Sequence, residues 1–119
     1  MNAKSEELRR RTKAFAVRII KLFQALPHDT AAQVVGKQLL RCGTSVGANY
    51  RAACRARPKA EFVAKVGIVL EECDETVYWL ELMVETKIVS ANRLGALLDE
   101  AQQLTAIFTA SQKTARGGK

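Results

Sequence analysis

Between Phe62 and Val84, apolar residues recur at intervals of three or four positions: Phe62, Val66, Val69, Cys73, Val77, Leu80 and Val84. This spacing places the side chains on one face of an α-helix, because the helix completes a turn every 3.6 residues. A half-buried β-strand would instead alternate at every second position. The segment therefore predicts a long amphipathic helix over residues 59–86, whose apolar face has to be covered by other parts of the chain.

Three further segments, residues 5–26, 30–57 and 91–114, have the same periodicity. With only two prolines and seven glycines, the chain has few of the turn-forming residues that β-rich folds require. Its 119 residues suffice for one hydrophobic core. We predict an all-α protein, an antiparallel up-down-up-down four-helix bundle forming a single domain over residues 1–119, with a flexible tail at 115–119.

Capping signals lie close to the predicted helix starts. Ser5 opens the first helix, and Thr30 with Gln33 matches a capping box at the start of the second. Pro58 is expected in the first turn of the third helix, where its missing N–H does no harm. Ser90 caps the fourth. These positions indicate short connections between successive helices.

Two glycines four positions apart, Gly43 and Gly47, lie inside the predicted second helix. Each costs about 1 kcal/mol relative to alanine in a helix interior, so a continuous helix needs a packing reason for them. The pair would let another backbone or a bulky side chain approach closely. A break of the helix at residues 42–47 is the alternative.

The formal net charge is +7, and the sequence pI is about 9.7. Residues 1–27 carry +5 and residues 28–57 carry +4, whereas residues 58–89 carry −4 and residues 90–119 carry +2. One interpretation is a basic face for nucleic acid. The other is that helices of opposite sign complement one another within the bundle or between subunits.

Little in the sequence indicates catalysis. Cys42, Cys54 and Cys73 form no metal-ligand pattern and are interpreted as buried small hydrophobes. Ser45 has no general base in a recognisable pattern, because the single histidine, His28, lies in a predicted loop. A solvated face explains the acidic residues of the third helix better than a metal site: Glu71, Asp74, Glu75 and Glu81. We predict no catalytic residues, no metal and no cofactor.

The N-terminal residues are polar and charged, and no window approaches the roughly 18 apolar residues of a membrane span. Binding of an amphipathic helix to a membrane surface is disfavoured, because the apolar faces are needed for the core. We therefore expect a cytoplasmic protein with no membrane partner.

Residues 41–51 read Arg-Cys-Gly-Thr-Ser-Val-Gly-Ala-Asn-Tyr-Arg, Glu61-Phe62 follows, and residues 74–82 read Asp-Glu-Thr-Val-Tyr-Trp-Leu-Glu-Leu. In this order the chain resembles the four-helix bundle family of bacterial intervening-sequence proteins, first noticed as reading frames inside insertions in large-subunit ribosomal RNA genes. The resemblance covers Phe15 to Phe108. It implies a homo-oligomer, a pentamer around a central channel, without known enzymatic activity.

A related branch is the accessory protein of diversity-generating retroelements, a basic pentamer that binds nucleic acid and the reverse transcriptase. By this analogy the partners would be RNA or DNA and a nucleic-acid enzyme such as a reverse transcriptase. The chain departs from the family pattern at four positions. Cys42 replaces a serine, Ala52 a glutamate, Pro58 a helix cap and Glu71 a lysine. Loss of the acid at Ala52 makes the second helix more cationic.

The two motifs supply ten residues for which we expect structural roles: Arg41, Gly43, Thr44, Ser45, Gly47, Asn49, Tyr50, Glu75, Tyr78 and Trp79. Arg41 and Glu75 are expected to form an ion pair between the second and third helices. If that pair is buried, loss of one partner should cost about 3 to 5 kcal/mol. Thr44, Ser45 and Asn49 are expected to fix helix register or to bond across the bundle.

The candidate nucleic-acid-binding residues are cations of the first two helices: Arg9, Arg10, Arg11, Lys13, Arg18, Lys21, Arg51 and Arg55. Repeated around an oligomer, even a few phosphate contacts per subunit would give a salt-dependent affinity for RNA or DNA with little sequence specificity. The alternatives are that these charges only keep the surface soluble, or that the protein is a structural or protein-interaction oligomer with no nucleic-acid role.

Overall fold

Four long helices follow one another in the computed structural model, which describes residues 2–117. They are α1 (Ala3–Gln24), α2 (Thr30–Cys54), α3 (Lys59–Glu85) and α4 (Ala91–Ala115). The predicted all-α four-helix architecture is confirmed, and the predicted helix ends differ by at most three residues. α2 is continuous through residues 42–47, so the alternative of a broken helix is wrong. Of the predicted tail, Ala115 is helical, and residues 118–119 lie outside the described part.

Three glycines of α2 fix the direction of α1 against it. Successively later glycines lie against successively earlier residues of α1: Gly36 against Phe23, Gly43 against Ile19 and Gly47 against Thr12. The two helices are therefore antiparallel. A side chain at Gly47 would begin 3.2 Å from the backbone oxygen of Thr12, which gives the physical reason for a glycine in this helix.

The remaining neighbours are antiparallel as well. Arg41 of α2 pairs with Glu75 of α3, and Gly67 near the start of α3 lies beside Gln112 near the end of α4. α2 packs extensively against both α1 and α3, and α3 packs against α4. The contact between α1 and α4 is much smaller and leaves grooves along that seam.

Three of the four helix starts differ from the capping predicted from the sequence. The Asn2 side chain, not that of Ser5, caps α1 by accepting from the Ser5 N–H, and Asp29, not Thr30, caps α2 by accepting from the Ala32 N–H. Pro58 precedes the first turn of α3 with an extended backbone, so it is the N-cap and not a helical residue. The Ser90 cap of α4 is confirmed.

The core lies along the bundle axis, and its largest fully buried side chains include Phe15, Ile19, Leu39, Leu80, Met83, Leu94, Leu104 and Phe108. In α3 the buried face is rotated relative to the predicted one. Thr76 and Met83 are fully buried, whereas their neighbours Val77 and Val84 are only partly buried. The hydroxyl of Thr76 donates to the Glu72 carbonyl at 2.7 Å, so its burial leaves no unpaired donor.

Cys42 and Cys73 are buried, as predicted, whereas Cys54 at the end of α2 packs against the core and is only partly buried. Burial raises the pKa of the Cys73 thiol to about 12 and also raises the pKa of Cys42. Both core cysteines therefore remain protonated and unreactive near neutral pH. Cys54 is the accessible thiol of the three.

Among residues 2–117, one ion pair spans the α1–α4 seam. The Arg11 guanidinium donates to Glu100 at 2.6 Å and to the Gln103 side chain at 3.3 Å. The side chains of Arg11 and Glu100 are only 23% and 19% exposed, so water screens this pair less than a surface pair. Because the two helices share few other contacts, the ion pair is a substantial part of what joins them.

Replacing Arg11 by methionine is expected to lower the free energy of unfolding by about 1 to 3 kcal/mol, because Glu100 would remain partly desolvated without a partner. The variant with both Arg11 and Glu100 replaced by methionine should recover part of this loss. Urea unfolding of the wild type, the two single variants and the double variant measures the coupling directly. Strictly additive losses would show that the pair does not join α1 to α4.

Candidate nucleic-acid interface

A groove between α1 and α2 gathers several of the predicted basic residues. It has a volume of about 630 Å³, and its lining comprises Glu6, Arg9, Arg10, Lys13, Ala16, Thr44, Gly47, Ala48 and Arg51. We call it the basic groove. On α1, Arg9 and Lys13 are four residues apart and so lie on one face. On α2, Arg51 follows Thr44 by seven residues, Gly47 by four and Ala48 by three. These intervals place the four residues on one helical face, which lies opposite α1.

The shape of the basic groove follows from small side chains. Ala16, Gly47 and Ala48 project little from their helices, and Gly47 lies directly against the backbone of Thr12. The helices therefore approach closely, and long cationic side chains flank a shallow floor. A ligand with flat or extended negative charge could contact cations from both helices.

Three of the cations in the basic groove have no acidic partner. Arg9, Lys13 and Arg51 form no ion pair among the described residues, whereas Arg10 pairs with Glu7 at 2.6 Å. The single carboxylate of the lining is Glu6. The groove thus keeps an excess of positive charge that an anion would neutralise.

The other predicted nucleic-acid-binding residues lie elsewhere. Arg11 is engaged by Glu100, and Arg18 lines a separate groove of about 380 Å³ on the α1–α4 side, together with that same glutamate. Lys21 and Arg55 are exposed and line neither groove. The structure therefore brings together four of the eight candidates. The charge pattern of the sequence does not point to the small residues of the floor, although Gly47 and Ala48 precede Arg51 by four and three residues on α2.

The two family motifs meet on the outer side of α2 and α3. Arg41 donates to Glu75 and lies 3.5 Å from a carboxylate oxygen of Glu72, while the Trp79 indole donates to Glu75 at 3.3 Å. The expected Arg41–Glu75 ion pair is present, but the arginine side chain is 53% exposed. The large cost expected for a buried pair therefore does not apply, because water and salt screen the attraction between surface charges.

The polar motif residues of α2 bond within their own helix. The hydroxyls of Thr44 and Ser45 each donate at 2.7 Å to the carbonyl oxygen four residues earlier, and the Asn49 amide donates to the Ser45 carbonyl at 2.9 Å. Among the described residues these three side chains form no hydrogen bond across the bundle, in contrast to one of the two roles expected. Each donates to a carbonyl of its own helix, and within that range none is hydrogen-bonded to a histidine or a carboxylate.

Large apolar side chains remain exposed on the outer surface of α2 and α3. Val34 is 57% exposed, Ile68 43% and Tyr78 55%. The Tyr78 ring lies edge-on to Trp79 at a centroid distance of 5.0 Å. These residues are not needed to cover the core of one chain, so they leave apolar area available for contact with another protein surface.

Within residues 2–117, no helix contains an apolar stretch long enough to cross a bilayer. Over that same range, histidine, cysteine and acidic side chains do not gather in groups of three or more that could hold a metal ion.

A model of the family described as 23S rRNA-intervening sequence protein matches residues 4–110. Among solved structures, a protein of unknown function from the S23 ribosomal protein family of Bacteroides thetaiotaomicron is 34% identical. It superposes with a TM-score of 0.85, over 92% of this chain and 98% of the other. No curated protein matches the chain.

Proposed function

This chain belongs to the family of 23S rRNA-intervening sequence proteins, and we propose that it is a non-enzymatic, basic, oligomeric bundle that binds RNA or DNA through the basic groove. The observation that carries the proposal is the convergence of Arg9, Lys13 and Arg51, without acidic partners, from two helices onto one groove. Such a cluster matches the charge of a phosphate backbone.

The lining of the basic groove also supports low sequence specificity. It contains guanidinium and ammonium groups but no aromatic side chain on which a base could stack. Contacts to phosphates fix position and carry no sequence information, whereas specificity comes from contacts with base edges. The small residues of the floor would let a sugar–phosphate backbone lie close to α2.

Oligomerisation into a pentamer is the second part of the proposal. The exposed apolar residues Val34, Ile68 and Tyr78 favour contact with another copy. The outer side of α3 also exposes carboxylates, namely Glu71, Asp74 and Glu81. This side of α3 therefore combines apolar area with negative charge, whereas the basic groove is positive. One subunit could place this side of α3 against the basic groove of the next, and such contacts between different faces can close a ring.

The same surfaces favour a second candidate function, a structural or protein-interaction oligomer without a nucleic-acid role. In that case the acidic side of α3 would cover the basic groove of the next subunit. If the basic groove instead stays open in the assembly, we propose a further partner: a nucleic-acid enzyme, such as a reverse transcriptase. We propose that this contact takes place in the cytoplasm. The two candidates differ in whether the groove is free after assembly.

Binding of the purified oligomer to generic RNA and DNA across a salt series tests the proposal, after co-purified nucleic acid is removed and the mass is measured by light scattering. We expect the logarithm of the binding constant to fall linearly with the logarithm of the salt concentration. For duplex DNA, the slope should be about 0.9 per phosphate neutralised. An oligomer that binds neither nucleic acid at low salt would refute the proposal and favour the structural role.

A further inference from the structure

A second groove opens at the end of the bundle where α1 begins and α4 ends. Its volume is about 820 Å³, and its apolar lining includes Leu8, Phe62, Ile107 and Ala110, with Tyr50 and Cys54 contributed by α2. We call it the end groove. It lies in the α1–α4 seam, which few other contacts close. A concave, mostly apolar space of this size with a few polar groups is typical of small-molecule sites.

Tyr50, from the Asn-Tyr part of the first family motif, places a phenol hydroxyl among the residues that line this groove. It is only 5% exposed, and its ring packs on Phe108 at a centroid distance of 5.1 Å. Within residues 2–117 its hydroxyl forms no hydrogen bond with oxygen or nitrogen, and its neighbours include the Cys54 thiol and the Arg9 side chain. Fully buried side-chain oxygens and nitrogens of those residues all have partners, so this hydroxyl is not fully buried, and Tyr50 lines the end groove.

The Tyr50 hydroxyl is a donor that a ligand could satisfy. Burial raises the pKa of this phenol, which therefore stays protonated across the physiological range. A thiol is a weak acceptor, so a stronger acceptor in the groove would form a better hydrogen bond. A ligand for this site should combine an apolar body with an oxygen acceptor.

The charges at the rim favour an anionic acceptor. Three charged residues line the end groove: Lys4, Glu7 and Arg11. Glu7 pairs with Arg10, and Arg11 pairs with Glu100, so these two are neutralised. Lys4 is exposed and forms no ion pair among the described residues. The rim therefore offers one uncompensated positive charge on the same helix as Leu8.

We propose that the end groove binds a small amphiphilic carboxylate of the medium-chain fatty-acid type. Its alkyl chain would cover the apolar side chains of Leu8, Phe62 and Ile107, while its carboxylate accepts from the Tyr50 hydroxyl and is attracted by Lys4. This site is separate from the basic groove and does not depend on nucleic-acid binding. Ligand binding would give the Tyr50 hydroxyl a role, because packing of the ring against Phe108 does not require a hydroxyl.

Calorimetric titration of the full chain with decanoate, below its micelle concentration, tests the proposal. We expect saturable binding that slows the reaction of Cys54 with a thiol reagent, because Cys54 lines the same groove. Tyr50→Phe keeps the ring and removes the donor, so it should weaken binding roughly 3- to 10-fold. Lys4→Gln should weaken binding of decanoate but not of decanol.

Ala110→Trp fills the groove from an exposed position of α4 and should reduce decanoate affinity by about 10-fold or more. Ala106→Trp is the matched control, because Ala106 is exposed on the same helix and does not line the groove. Absence of binding by the wild type, or equal binding by both tryptophan variants, would overturn the proposal. Loss of the oligomer in Ala110→Trp, without decanoate binding by the wild type, would identify the groove as a subunit contact instead.

Discussion

Replacing Arg9, Lys13 and Arg51 together by glutamine is expected to weaken nucleic-acid binding about 100-fold at low salt while the helix content stays unchanged. Within residues 2–117 none of the three side chains forms an ion pair, so their removal leaves no described carboxylate newly unpaired. Each lost phosphate contact should also reduce the salt slope by about 1. Fluorescence anisotropy with a labelled duplex at several salt concentrations measures both effects.

A matched variant separates the groove from the overall charge. Lys37, Arg93 and Lys113 are exposed and line none of the three grooves described above, and their replacement by glutamine lowers the net charge of +7 by the same three units. This control should keep most of the affinity. If both triple variants lose equal affinity, binding depends on net charge, and the basic groove is not the interface.

The three consecutive arginines show why the sequence predicted a basic surface but not which cations share one groove. Successive residues on a helix point about 100° apart, so Arg9, Arg10 and Arg11 face different neighbours. Arg9 lines the basic groove, Arg10 lies at its edge with Glu7, and Arg11 crosses to Glu100 on α4. The residues that receive Arg11 are about 90 positions away in the chain, and no local pattern identifies them.

The helices themselves were predictable because their apolar periodicity is a local property. Two of the errors occurred where two neighbouring residues satisfy the same local rule. Asp29 and Thr30 are adjacent N-cap candidates, and the structure uses the aspartate. In α3, Met83 lies beside Val84, and packing against the other helices selects the face that carries the methionine. Single-residue choices of this kind are made by tertiary contacts.

Gly47→Leu is expected to destabilise the bundle by about 2 to 3 kcal/mol. The new Cβ would lie 3.2 Å from the backbone oxygen of Thr12, and a backbone atom cannot rotate away as a flexible side chain can. The outer atoms of leucine would push α1 from α2 at the point where the basic groove has its floor. Equilibrium urea unfolding, followed by far-UV circular dichroism, measures the loss.

Gly95→Leu provides the control for the intrinsic helix propensity of leucine. Gly95 lies inside α4, and a Cβ there would meet nothing within 4 Å, so this replacement should stabilise the protein by up to about 1 kcal/mol. Opposite signs for the two variants would locate the cost at the contact between α1 and α2. Stabilisation by both variants would instead mean that the helices separate freely at Gly47, and that close packing there does not shape the basic groove.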